Sequence, residues 1–157
     1  MPLTPEQKLE RGNKRNPYNM HNNIKVVSFA KDTCTVEAQI TPTSLNPWGI
    51  INGGLIFTMC DTACGVAVGG GVTLSGTIHY LKSAKGKVLR AVANVIRSGN
   101  TIAFVECRVF NEKSEVIATS TFDFFQNGKT VAKLEAEADR KQEEKERREA
   151  LLKSAQA

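Results

Sequence analysis

Leu55-Ile-Phe-Thr-Met-Cys-Asp-Thr-Ala-Cys-Gly-Val-Ala-Val68 is apolar almost from end to end. At fourteen residues it is long for a strand, and it lacks the wide polar face of a surface helix. It reads as a helix buried on most sides. Its polar positions, Thr58, Asp61, Thr62 and Gly65, stand at i, i+3, i+4 and i+7, so they form one narrow stripe along that helix. Gly69-Gly70-Gly71 then ends it. The wider segment from Gly53 to Leu74 is the most membrane-like part of the chain. A carboxylate near its centre and its many glycines point instead to a buried helix followed by a turn.

Upstream of the helix, Ile24–Ala30 and Thr33–Thr41 read as strands. In the second, Cys34, Val36, Ala38 and Ile40 alternate with Thr35, Glu37, Gln39 and Thr41, a period of two with one buried face. A loop dense in Pro, Asn and Gly, PTSLNPWGIINGG, joins this strand to the helix. Residues 1–23 form a polar lead-in with a short helix expected around Pro5–Arg11. They contain no apolar signal-like core, which predicts a soluble, cytoplasmic protein.

Downstream come four extended segments: Val72–Lys82, Lys87–Arg97, Thr101–Asn111 and Glu115–Gln126. The joins Ser98-Gly99-Asn100 and Asn111-Glu112-Lys113-Ser114 are turn-like, so the last three segments should form an antiparallel meander. From residue 133 to 157 seven basic and seven acidic side chains alternate, the pattern of a solvated helix or frayed tail. There is no solenoid repeat. A single helix followed by consecutive strands disfavours βαβ architectures. The expected fold is α+β, an antiparallel sheet wrapped around one long central helix, with 1–23 as lead-in, 24–132 as the domain and 133–157 as a charged tail.

A chain of 157 residues suits one domain with a real core. Its four cysteines, Cys34, Cys60, Cys64 and Cys107, read as small core hydrophobes in a reducing compartment. With only His21 and His79 available, and neither at ligand spacing, no metal site is expected. The net charge is +5, and Lys82, Lys85, Lys87, Arg90 and Arg97 fall in one run without an acidic residue. Such a run suits a phosphate-bearing partner, although most charge runs only face water. A nucleic-acid partner is not expected, because aromatic interleaving and a binding motif are both missing.

The chemistry concentrates where the loop meets the helix. Gly53-Gly54 lets the backbone approach a ligand closely, and the first amides of a helix carry its positive end with no internal partner. They could stabilise a carbonyl oxygen that gains charge during attack. Asp61 lies two turns further in, roughly 12 Å along the axis. That is far for one helix to serve both ends of a small reacting group, and it suggests that a site draws its two halves from different subunits. On position alone Asp61 is equally open to capping a shorter helix or facing water. Paired glycines usually just make a turn. His79 reads as a surface or interface residue. No nucleophile elbow, phosphate loop or dinucleotide fingerprint is present.

Asn46, Gly49, Asn52-Gly53-Gly54 and Asp61-Thr62-Ala63 together resemble the signature of the hotdog-fold thioesterases of the phenylacetic acid degradation (PaaI-like) type. That family has Asn, then Gly, then His-Gly-Gly, then Asp, in this order. The similarity continues through Thr77–Leu81, Val95–Thr101 and Val116–Phe124, covering about residues 16–126. The resemblance implies the hotdog fold and hydrolysis of acyl-CoA, with no cofactor beyond the CoA of the substrate. Asp61 would be the general base or nucleophile and the Gly53 amide the oxyanion donor. Asn46 would orient the thioester oxygen, and Thr73 would hold the attacking water. Lys82, Arg97, Ser98 and Gly99 would bind the CoA phosphates, with Gly54 beside the substrate. Family members are homodimers or dimers of dimers with sites at the subunit interface. One departure stands out: Asn52 replaces the usual His, keeping a hydrogen-bond donor but no titratable charge. The same departure suits an alternative, a non-catalytic acyl-CoA-binding module. A hotdog dehydratase ranks last, for want of a suitably placed His.

Overall fold

Alternation builds the sheet. Cys34, Val36 and Ala38 in β2 (Thr33–Gln39), Leu89, Ala91 and Ala93 in β4 (Val88–Ser98), and Ala103, Val105, Cys107 and Val109 in β5 (Ile102–Phe110) are all buried, while their neighbours are not. The period of two therefore gives each strand one face for the core. With β1 (Ile24–Ala30), β3 (Val72–Tyr80) and β6 (Val116–Phe125) they make a six-stranded sheet in the order β1-β2-β4-β5-β6-β3. Every pairing is antiparallel, and β4-β5-β6 is the expected meander. The computed structural model describes residues 3–155, apart from the side chains of residues 130, 131, 134, 135 and 155.

The apolar run is the helix α3 (Gly53–Ala67), and it packs on the sheet's inner face. Leu55, Ile56, Met59, Cys60, Ala63, Cys64 and Ala67 are buried. Small residues beneath it let it settle close: Cys60 and Cys64 both interact with Cys107 of β5, and Ser120 of β6 donates its hydroxyl to Cys107 O at 3.3 Å. All four cysteines are buried free thiols. Burial pushes the Cys34 thiol up to about 12, so it is no nucleophile at neutral pH. The helix is less enclosed than its composition suggests. Phe57, Thr58, Asp61, Thr62, Gly65 and Val66 are only half-buried, because the sheet covers one side.

Element boundaries fall close to expectation. The strand expected to Thr41 ends at Gln39, since Ser44 Oγ accepts the Thr41 amide at 3.1 Å and Pro42 opens a single 3-10 turn. The lead-in holds two helices, α1 (Pro5–Lys14) and α2 (Pro17–His21). Thr4 and Gln7 form a reciprocal capping box on α1, and Asn16 caps α2 just before Pro17. Both helices attach to the sheet unit. Asn13 bonds Val26 twice, its amide donating to the carbonyl and its oxygen accepting from the N–H, each at 2.9 Å. The buried Asn19 donates to Thr62 Oγ1 on α3 at 3.0 Å.

Two compact units divide the chain, Met1–Gln126 and Asn127–Ala157. The second is the charged tail, helical as α4 (Gly128–Ala155), with residues 156 and 157 outside the described range. Arg148 pairs with Glu144 at 3.4 Å, and Gln142 donates to Glu146 at 2.8 Å, both at i,i+4 spacing. No helix among the described residues is long and apolar enough to cross a membrane.

On the edge strand β3 the register shifts between Thr73 and Ser75, leaving Leu74 as a bulge. Thr73, Gly76, Ile78 and Tyr80 consequently pair with Phe124, Phe122, Ser120 and Ala118, on the inner face. Gly76 has no room for a side chain, since a Cβ there would lie 2.3 Å from the buried Phe122 ring. Gly76→Ala is expected to cost about 1–3 kcal/mol through overpacking. Thermal melting checks this, and an unchanged Tm would mean that the ring swings aside freely.

Candidate active site

The loop before α3 is held by one side chain. Asn46 Oδ1 accepts from the amides of Trp48 at 3.0 Å and Ile50 at 3.3 Å. The Asn46 backbone also donates to Ile50 O at 2.9 Å and accepts from the Gly49 amide at 3.0 Å. Gly49 completes the turn with φ at +69°, where a side chain would be strained. The turn closes on the bridge between Leu45 and Ile51. Asn46 is thus first an organiser of its own loop, with its Nδ2 left over for other partners.

Asn52 is the N-cap of α3, and its Oδ1 accepts the Gly54 amide at 2.8 Å. The Leu55 and Ile56 amides reach Asn52 O at 3.1 and 3.4 Å. Of the first-turn amides only that of Gly53 has no hydrogen-bond partner. The cap therefore spends its acceptor on Gly54 and leaves one oriented N–H at the positive end of the helix. Gly53 lines a groove of about 360 Å³ with Asn46, Ile50, Ile56, Tyr80 and Lys82.

Tyr80, which the motif gave no reason to single out, reaches across from β3. Its hydroxyl donates to Gly53 O at 2.8 Å, and its ring would lie 3.1 Å from a Cβ at position 53. Partial burial holds the phenol above its ordinary value, with a further rise from nearby Cys60, so it stays a donor through neutral pH. Strand periodicity alone could not have found it: Tyr80 turns to the same side as Thr73 only through the Leu74 bulge, which the sequence does not mark.

At the other end of β3, Thr73 Oγ1 donates to Asp61 Oδ1 at 2.6 Å. Asp61 is half-buried, with one carboxylate oxygen held by the Thr73 hydroxyl. The capping reading of Asp61 is excluded, because it sits in the middle of α3. Nearby, Thr58 returns its hydroxyl to Gly54 O at 2.9 Å.

Within one chain the motif residues form two separate groups. Gly53, Asn46, Asn52 and Lys82 gather near the Tyr80 end of β3, and Asp61 with Thr73 at its start. Eight helical residues, about 12 Å of rise, separate Gly53 from Asp61. Seven strand residues, roughly 23 Å, separate Thr73 from Tyr80. The basic run is likewise dispersed. Lys82 pairs with Glu115 at 2.9 Å, and Arg90 pairs with Glu37 at 2.9 Å, so neither is an isolated charge. Hydrogen bonds from Asn111 and Lys82 hold the Glu115 carboxyl below its ordinary range. Arg97, Ser98 and Gly99 lie at the Thr73 end of the sheet, through the pairings of Ser98 with Ala103 and of Ile102 with Phe125. Gln126 clamps that turn, donating to Ser98 Oγ at 2.5 Å and Gly99 O at 2.7 Å.

This fold has known counterparts. The sequence profile described as Thioesterase superfamily matches residues 49–118, from the loop through α3 into β6. No protein of curated function matches the sequence. Among solved structures, a Streptococcus mutans protein bound to acetyl CoA is 34% identical, with 67% of this chain and 90% of that chain covered and a TM-score of 0.62. The PaaI protein of the E. coli phenylacetic acid degradation operon is 20% identical, with 79% and 94% covered and a TM-score of 0.73. Zebrafish thioesterase superfamily member 2 is 21% identical, with 79% and 99% covered and a TM-score of 0.70. The latter two likenesses concern the hotdog fold, which this chain has.

Asp61→Asn keeps an acceptor for Thr73 and removes a charge that is costly to hold when half-buried. The variant is expected to melt at the wild-type temperature or slightly above it in a thermal scan. A large drop in Tm would make Asp61 a structural residue.

Proposed function

The chain belongs to the thioesterase superfamily, and from that premise we propose that it hydrolyses acyl-CoA thioesters, with Asp61 as general base or nucleophile and the Gly53 amide as oxyanion donor. One observation carries the proposal. A carboxylate held by a neighbouring hydroxyl and an unpartnered helix-entrance amide sit at motif positions, both in half-buried residues. Attack on the thioester carbonyl by Asp61, or by a water that it deprotonates, moves negative charge onto the carbonyl oxygen. The Gly53 N–H, aligned with the α3 dipole, is suited to receive that charge. The Thr73 hydroxyl orients the carboxylate or its water. Asn46, with Nδ2 uncommitted beside the groove, orients the thioester oxygen.

The distance between Asp61 and Gly53 argues for a homodimer, with each site shared. The outer edge of β3 is unpaired, and its residues Val72, Leu74 and Tyr80 are exposed. Antiparallel pairing of two such edges about a two-fold axis would reverse one strand on the other. The Tyr80 end of one subunit would then meet the Thr73 end of its neighbour, bringing the partner subunit's Gly53 towards Asp61. The same reversal would bring Lys82 of one subunit towards the end that holds Arg97, Ser98 and Gly99 of the other, a composite cradle for CoA phosphates. An exposed ion pair such as Lys82–Glu115 is weak enough for a phosphate to displace the carboxylate. The solved relative with acetyl CoA bound agrees with a CoA ester as ligand.

A second reading, an acyl-CoA-binding module without turnover, draws on Asn52. Its Oδ1 is committed to Gly54, and no imidazolium is present to assist the leaving thiolate. Free-thiol release from a panel of acyl-CoAs separates the two. The wild type is expected to turn over and Asp61→Asn to lose at least about a hundredfold in kcat. Tight CoA-ester binding with no thiol release would establish the binding module instead.

A further inference from the structure

We propose that Tyr80 is a positioning residue for the hydrolysis proposed above, on which this inference rests: its hydroxyl holds the Gly53 carbonyl and so fixes the helix-entrance backbone whose amide faces the thioester. The need follows from the sequence. Gly53-Gly54 has the greatest backbone freedom of any dipeptide, and it stands at a helix end, where fraying begins. An oxyanion donor works only if its direction is set before charge develops. The Asn52 cap holds only the N–H end of the Gly53–Gly54 peptide, and the carbonyl end of that same peptide, next to the Gly53 amide, takes a second hold.

Tyr80 supplies that hold. The hydroxyl donates to Gly53 O at 2.8 Å from a sheet strand, which is a stiffer support than a loop. The ring occupies the space that a side chain at position 53 would need, with its Cζ and Oη each 3.1 Å from a Cβ built there. Glycine at 53 and tyrosine at 80 therefore require each other: one provides the clearance and the other the restraint. A parallel arrangement follows one residue on, where Thr58 Oγ1 donates to Gly54 O at 2.9 Å. Tyr80 also lines the groove beside Gly53, so it acts where substrate would lie.

Tyr80→Phe removes the hydroxyl and keeps the ring. Thiol release by the variant is expected to show kcat lowered about tenfold with KM within about twofold of wild type, the split that marks an interaction felt in the transition state. Amide hydrogen exchange should quicken at residues 53–55, while Tm stays within about 2 °C. A residue that only packs would leave kcat unchanged. An active wild type alongside a Tyr80→Phe variant with unaltered kcat and exchange overturns the positioning role alone. A wild type that releases no thiol from any acyl-CoA overturns the hydrolase reading, and with it the reaction that Tyr80 would serve.

Discussion

Two side-chain hydrogen bonds tie the central helix to the edge strand: Thr73 to Asp61 at one end and Tyr80 to Gly53 at the other. Between them they align α3 against β3 in opposite directions and fix how far along the strand each end of the helix lies. Neither bond joins buried groups, so their contribution to stability is modest. Their effect is on geometry. They hold a carboxylate and a helix-entrance amide at fixed points of one rigid frame, too far apart to act on the same carbonyl within one chain. The unpaired edge beside them is the only side of the sheet on which a second copy could continue the ladder next to both groups.

That frame depends in turn on how closely the helix lies on the sheet. Small residues face each other there, Cys60, Ala63 and Cys64 from α3 against Ala91, Ala93, Cys107 and Ser120 from the strands. A hydrogen bond to Cys107, then burial, drives the Cys60 thiol far above its ordinary value, so sulfur here serves as volume and not as reagent. Among the described residues no buried side-chain N or O lacks a partner.

Much of this could be read before any coordinates. Alternation located β2 because it has one face in a continuous core, turn-like joins bounded β4, β5 and β6, and continuous apolarity with a glycine stop located α3. The spacing of Asn46, Asn52, Gly53 and Asp61 identified the loop and helix as a unit. What escaped was whatever depends on a neighbour distant in sequence. The Leu74 bulge leaves no mark on composition, yet it decides that Thr73 and Tyr80 face the same side. The polarity of residues 1–23 suggests a lead-in with one short helix, whereas the structure has two, and Asn13 and Asn19 use their amides to fasten them to Val26 and Thr62. The run of Lys and Arg looked like one patch because sequence proximity hides that a strand carries its ends more than 20 Å apart, at about 3.3 Å per residue.

The double bond between Asn13 and Val26 has a consequence for growth. An asparagine side chain there imitates a rung of the ladder on the outer side of β1, and α1 lies over that margin. Among the described residues, the opposite margin, β3, carries no such plug. A sheet with one blocked border and one bare border has a valency of one. If two copies joined along the bare border, the plugged border of each would stand at the ends of the enlarged sheet, which disfavours strand-by-strand propagation into a fibre.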